Sequence, residues 1–473
     1  MPRENLDFLA RLDGVGQAEL VARGELSASE LLDACAARMA RCEPLIHATV
    51  SLDWPRARAF EPGAGPFKGV PTLLKDLFPY PGLRWGMGSR SFAHNMQAPA
   101  TPYSERIDQS GLVVVGKSAA SEFGLLGSTE TLQEGVTHNP WDISRSAAGS
   151  SGGAAAAVAA GLVPLAHAND AGGSIRIPAS VCGLFGFKPS RGRTVPATTG
   201  GAAFIALISD HCVTRSVRDS ALFLSVTESQ SGPLPVIGYV REASTKRLRI
   251  GAFTRTLMGD EPDPVVRRAF DEAAELCRAL GHEVRPIVAP AIEGRALGAA
   301  FFLCAGEAMA GMTEMLGAMR GAPVRDDELE PFTWALIRAF RASGADAMAS
   351  ARATFERAAA EYLRVFAECD VVLTPTLSEG PWRLGHLSPL VDSAELIART
   401  SRAVGYTPIH NIAGCPGMSV PLHWSPDNLP IGVHFAANVG EDARLLQLAY
   451  ELEAAQPWRE RWAPYSFPRI IER

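Results

Sequence analysis

The stretch Gly149-Ser150-Ser151-Gly152-Gly153-Ala154-Ala155-Ala156-Ala157-Val158-Ala159-Ala160-Gly161-Leu162-Val163-Pro164-Leu165-Ala166 reads as turn, helix, strand. Alanine is the best helix former, so Ala154 to Ala160 should be helical. The glycine-serine turn before it then lies at the positive end of that helix. Leu162 to Ala166 has the apolar character of a strand. Working outward, Gly69-Val70-Pro71-Thr72-Leu73-Leu74 is a short apolar strand that ends at Lys75. Leu112-Val113-Val114-Val115 is a continuous apolar run, as in a strand covered on both faces. Leu248 to Phe253 and Val371 to Leu373 read as further strands, Asp263 to Leu280 as an amphipathic helix stopped at Gly281, and Ala443 to Ala455 as a late helix. Strands alternating with helices make an α/β protein.

The flanking regions add helices. Residues 1–60 look helical, with Ser27 and Glu30 spaced as a capping box. Residues 229–247 are turn-rich loop, and 296–320 and 349–369 read as two long helices that could cap a site. The chain has 473 residues and no Gly/Ser- or Pro-rich linker. We therefore expect one body over 1–473, with an N-terminal helical region at 1–60, a catalytic core at 61–228 and a helical cap within 296–370.

Composition narrows the function classes. Hydrophobic residues are 47% and charged residues 20%, as in a soluble globular enzyme. The net charge of -6 comes with interspersed signs, so nucleic-acid binding has no electrostatic footprint. Cys35, Cys42, Cys182, Cys212, Cys277, Cys304, Cys369 and Cys415 include no Cys-x-x-Cys pair and read as reduced core thiols. The N-terminus lacks a secretion signal, and the apolar stretch Ala154 to Ala166 is too short to span a bilayer. A cytoplasmic protein with no membrane partner is expected. The ten histidines form no metal-binding spacing, so no metal is expected.

Three segments can carry chemistry. Lys75 closes an apolar run, and an amine buried among Val70, Leu73, Leu74, Leu77 and Phe78 loses its proton readily. Taken alone, a lysine after a strand is usually a solvated strand end. Ser150 sits among glycines, where its hydroxyl can both donate and accept a proton; it would equally suit a helix N-cap. Ser174 follows Ala171-Gly172-Gly173, small residues whose N–H groups can converge on one point as an oxyanion hole requires. Asp170 and Arg176 flank that loop and could pair to hold it, or form an ordinary surface ion pair.

Together the segments resemble the amidase signature family. Ser146 to Ala154 looks like its glycine/serine-rich motif. Asn169 to Ser180 with Cys182-Gly183 looks like its nucleophile loop, and Gly186 to Arg193 extends the match. Gly69 to Asp76 is similar to its lysine segment, and Gly414 to Pro421 with Gly440-Glu441-Asp442 fits near the C-terminus. The resemblance covers about 20–460 and is weakest over 220–370. It implies one large mixed β-sheet covered by helices on both faces, with a helical cap region. It also implies a triad: Lys75 as base, Ser150 as relay across a cis Gly149–Ser150 peptide, Ser174 as nucleophile. The amides of Ala171, Gly172, Gly173 and Ser174 would bind the oxyanion. Gly149, Ser151, Asp170 and Arg176 would support the site. No cofactor is implied.

Two departures stand out. Where the family often has Pro-Gly-Gly before the serines, this chain has Ala147-Ala148-Gly149. Where the family commonly has Gly-Thr-Asp, it has Ala168-Asn169-Asp170, in a run similar to the 6-aminohexanoate cyclic-dimer hydrolase branch. The expected function is hydrolysis of a small-molecule carboxamide, linear or cyclic, through a seryl acyl-enzyme, giving an acid plus ammonia or an amine. Similar proteins are often homodimers. One alternative is a glutaminase-type subunit of a glutamyl-tRNA amidotransferase. Another reads Gly149 to Gly153 as Gly-x-Ser-x-Gly with Ser151 as nucleophile, which needs a preceding strand that Trp141 to Ala148 makes poorly. No phosphate-loop lysine is in register for nucleotide binding. Leu125, Leu126, Phe301, Phe302 and Cys304 are candidates for an apolar substrate pocket, or ordinary core residues.

Overall fold

The structure, a computed structural model, describes residues 6–92, 98–197 and 202–472. Residues 1–5 of the expected N-terminal helical region and His94 of the ten histidines lie outside the described residues. Among the described residues eleven strands form one sheet. In chain order they are β1 (Thr49–Leu52), β2 (Pro71–Lys75), β3 (Val113–Ser118), β4 (Leu165–Asp170), β5 (Phe185–Lys188), β6 (Ser209–Thr214), β7 (Arg249–Ala252), β8 (Glu283–Pro286), β9 (Val371–Pro375), β10 (Gly417–Trp424) and β11 (Pro430–Ala437). Their spatial order is β1-β3-β2-β4-β6-β5-β10-β11-β9-β7-β8. β2 runs parallel to β3 and β4, and β7 runs parallel to β8 and β9. The other pairs are antiparallel, so the α/β sheet is mixed.

Both faces of the inner strands are buried, which explains the unbroken apolar runs in the sequence. Successive strand side chains point to opposite faces. Leu73, Val113, Val115, Ala166 and Val213 join one core cluster, whereas Leu74, Val114, Leu165 and Cys212 join another with Phe67, Phe78 and Phe223. Each such aliphatic side chain contributes about 1.5–3 kcal/mol on burial. Helix α1 (Ala28–Ile46), with the Ser27–Glu30 capping box in place, and helix α2 (Gly152–Ala159) pack on the first face. Only small residues let α2 come this close: a Cβ at Gly153 would run into the Ala119 N and Ala48 O backbone atoms.

Further helices are α3 (Arg176–Cys182), α4 (Pro264–Ala279), α5 (Gly294–Arg320), α6 (Pro331–Arg341), α7 (Ala347–Leu363), α8 (Ser393–Ala403), α9 (Pro408–Ala413) and α10 (Asp442–Ala455). α5 is long and apolar enough to cross a membrane by length and composition, but half of that stretch is buried within the protein, as in the core helix of a globular fold.

Four features differ from the sequence reading. β1 falls inside the region expected to be helical. It is four residues long and recognisable only by its pairing with β3. The strand expected at Leu162 begins at Leu165, because Gly161 takes φ +74° and closes a turn first. It also runs on to Asp170, which carries two polar residues to the strand end. A third helix, α6, lies between the two expected in the cap region; it opens on Pro331, a residue favoured at the first helical position. Finally, Asp142–Ser146 does form a strand, but it pairs with His138–Asn139 and, through a single bridge, with Arg383, outside the large sheet.

Candidate active site

β2 and β4 lie side by side and parallel, with Leu73 opposite Ala166, so their carboxyl ends point the same way and β4 runs two residues beyond the level of Lys75. In open α/β sheets the crevice beyond such ends is where ligands bind. Lys75 ends β2 and Asp170 ends β4. The turn before α2 and the loop from β4 to α3 meet above them.

Lys75 is fully buried. Its Nζ lies 2.7 Å from Ser150 Oγ, 2.7 Å from Asn169 Oδ1 and 3.3 Å from Asn169 O. Burial pushes the amine from its ordinary 10.5 down to about 7, against the opposing pull of the Asp170 and Asp210 charges. The solvated strand end considered from sequence is therefore excluded. The Gly149–Ser150 peptide is cis, and Ala148, at one departure from the family pattern, sits at φ +59°. Ser151 is buried, and its Oγ donates to Asn169 O at 3.3 Å. Ser174 sits on the β4–α3 loop and lines a cavity. Its hydroxyl makes no hydrogen bond to a described residue. The Lys75–Ser150 link is therefore closed and the Ser150–Ser174 link open, as is common before a substrate tightens such contacts.

Asp170 organises the loop. Its Oδ1 accepts from Gly173 N (2.6 Å) and its Oδ2 from Ile175 N (3.1 Å). Arg176 meets it with two bonds of 3.0 Å, Nε to Oδ2 and Nη2 to Oδ1, both side chains fully buried. Burial alone would raise the Asp170 carboxyl, but Arg176, Lys188 and Asn411 together hold it well below the usual carboxylate range. The pair is thus internal rather than a surface ion pair. It also occupies one expected oxyanion donor: the Gly173 amide is committed to Asp170. The amides of Ala171, Gly172 and Ser174 donate to no described residue.

Several participants were given no role from the sequence. Asn169 was noted there within the loop resemblance and as a departure from the family pattern, and it touches Lys75 through both its side chain and its backbone. Asn411, on α9, accepts from Arg176 Nη2 (2.7 Å) and donates to Asp170 O (2.7 Å) and Oδ1 (2.9 Å). His410 Nδ1 and His434 Nε2 each lie 3.2 Å from Arg176 Nη1, and Tyr362 OH lies 2.7 Å from His410 Nε2. Burial first, then the Arg176 charge, holds His410 far below its ordinary value; burial and His410 do the same to His434. Both are neutral and fit beside a guanidinium. Asn411, His410 and His434 lie more than two hundred positions from the loop, in no local motif.

Leu125, Leu126, Phe301 and Phe302 line the cavity together with Ala171, Gly172 and Ser174. Cys304 does not; it is fully buried one turn further along α5, in the core.

Comparison with known proteins places this arrangement. The amidase family model matches residues 30–446. The 6-aminohexanoate-cyclic-dimer hydrolase of Pseudomonas sp. (strain NK87) is 34% identical over 479 residues, covering 95% of this chain and 96% of that one. The enzyme of the same name from Paenarthrobacter ureafaciens is 34% identical over 480 residues, with the same coverage of both chains. A solved structure of 6-aminohexanoate cyclic dimer hydrolase superimposes with a TM-score of 0.91 at 32% identity, covering 96% of this chain and 99% of that one.

Proposed function

The chain belongs to the amidase signature family and is a hydrolase of amides, and on that premise we propose that it works through Ser174 as nucleophile, Ser150 as relay and Lys75 as base. The observation that carries this reading is the 2.7 Å contact between Ser150 Oγ and a fully buried amine held at about 7. Near neutral pH much of that amine is unprotonated, as a general base requires. A neutral amine has two N–H bonds and one lone pair. The Oδ1 and O of Asn169 take the two hydrogens, which turns the lone pair toward the Ser150 hydroxyl.

The reaction then runs as two acyl transfers. The Ser174 proton passes to Ser150 Oγ as the Ser150 proton passes to Lys75. Ser174 Oγ bonds to the amide carbonyl carbon, and the oxyanion is held by the amides of Ala171, Gly172 and Ser174. The C–N bond breaks, and the relay returns the proton to the departing amine or ammonia. Water attacks the ester by the same route and releases the acid. The substrate is a small carboxamide, linear or cyclic. The glutaminase-type alternative is not favoured, since the two full-length relatives described above are named as hydrolases of a cyclic amide. Ser151, buried and bonded to a backbone carbonyl, is poorly disposed to be the nucleophile.

Ser174→Ala and Lys75→Ala should each remove nearly all turnover of an amide panel, and a fluorophosphonate should label Ser174 and not Ser151 by mass spectrometry. Full activity in purified Ser174→Ala protein overturns the proposal.

A further inference from the structure

The cavity that holds Ser174 has no Asp, Glu, Lys, Arg or His in its wall among the described residues. Its surface comes from apolar side chains such as Leu126, Phe204, Leu297, Phe301, Phe302 and Ile409. Phe301 stands directly against the nucleophile loop: a Cβ at Gly172 would sit 3.0 Å from its Cζ. Phe204 and Phe302 meet Phe301 edge-on, with ring centroids 5.3 and 5.9 Å away, so the aromatic wall is held in shape. The charges nearest the loop are turned inward and spoken for. Asp170 and Arg176 are fully buried against each other, and Lys75 lies fully buried behind Ser150.

The polar side chains of the wall other than Ser174 are the hydroxyls of Thr400 and Ser401 on α8. Thr400 Oγ1 is buried without a hydrogen-bond partner. A hydroxyl can satisfy a neutral carbonyl or amide. It cannot offset the desolvation of a carboxylate or ammonium, which costs several kcal/mol when left unpaired.

We propose that this cavity admits neutral, apolar carboxamides, alkyl or aryl, and rejects amides that carry a carboxylate or ammonium close to the scissile bond, free glutamine included. This rests on the Ser174 reading above and names the substrate class of that same site. Phe301, Phe302 and Phe204 set the preference by offering dispersion contact and no counter-charge.

The test uses three fluorophosphonates with tails of equal length, ending in methyl, ammonium or carboxylate. The rate of Ser174 labelling is followed by peptide mass spectrometry and divided by each probe's hydrolysis rate in buffer. The methyl-ended probe should label at least about tenfold faster than either charged probe. A large excess of L-glutamine should leave its labelling rate unchanged. A charged probe that labels as fast as the methyl-ended one, or protection of Ser174 by glutamine, overturns the assignment while leaving Ser174 as nucleophile. No label on Ser174 from any of the three overturns the nucleophile reading and this inference with it.

Discussion

Replacing Lys75 by methionine removes the buried ionisable group and keeps most of its volume. With the native amine at about 7 instead of 10.5, the unfolded chain binds the extra proton between those two values. Stability therefore rises with pH across that window, by about 1.4 kcal/mol per pH unit and about 5 kcal/mol in all. The penalty is complete below about pH 7 and gone above about 10.5. The methionine variant carries no such penalty, but it leaves Ser150 Oγ and Asn169 Oδ1 without their partner, at about 1–3 kcal/mol each. That loss does not depend on pH. The two proteins should therefore be near parity below pH 7, and the native protein should gain about 5 kcal/mol over the variant by pH 10.5. Urea unfolding followed by fluorescence of the eight tryptophans, at half-unit steps from pH 6 to 10.5, measures the difference. Lys117 and Lys188, also buried and shifted down, cancel because both proteins contain them. A difference that stays flat with pH would refute the claim that burial holds this amine neutral. The variant should lack turnover at every pH.

The same amine sets the acid limb of kcat/KM, which should fall about tenfold per pH unit below about pH 7; Asn169→Ala, which frees the amine to turn away from Ser150, should lower kcat with little change in KM, and an unchanged kcat would remove Asn169 from the positioning role. Gly173→Ala should disrupt the nucleophile loop, since the residue sits at φ +135° and the new Cβ would meet Thr407 Oγ1 and lie 2.5 Å from Ile177 Cδ1; circular dichroism should show a folded protein that a fluorophosphonate no longer labels. Asp170→Asn leaves the Arg176 charge buried without its partner and should cost about 3–5 kcal/mol in denaturant unfolding; a loss under 1 kcal/mol would mean that His410, His434 and Asn411 suffice to hold Arg176.

The local alphabet of the chain determined a good deal by itself. Runs such as Leu73-Leu74 and Val113-Val114-Val115 identified strands covered on both faces, because only a doubly buried strand dispenses with polar alternation. Lys75, Ser150 and Ser174 stood out as candidates because each lies in a short distinctive segment, Lys75 at the end of an apolar run and the two serines among glycines. What tertiary structure alone decided is everything that depends on which strand ends lie together. β4 reaches Asp170 and stops beside β2, and that adjacency turns Asn169 from a sequence departure into the acceptor for Lys75. It also spends the Gly173 amide on Asp170, and it recruits Asn411, His410 and His434 from beyond residue 400. Hydrogen bonding across such distances leaves no periodicity in the chain. Burial, which lowers the amine of Lys75, is a property of the packed sheet and not of the five apolar neighbours that suggested it.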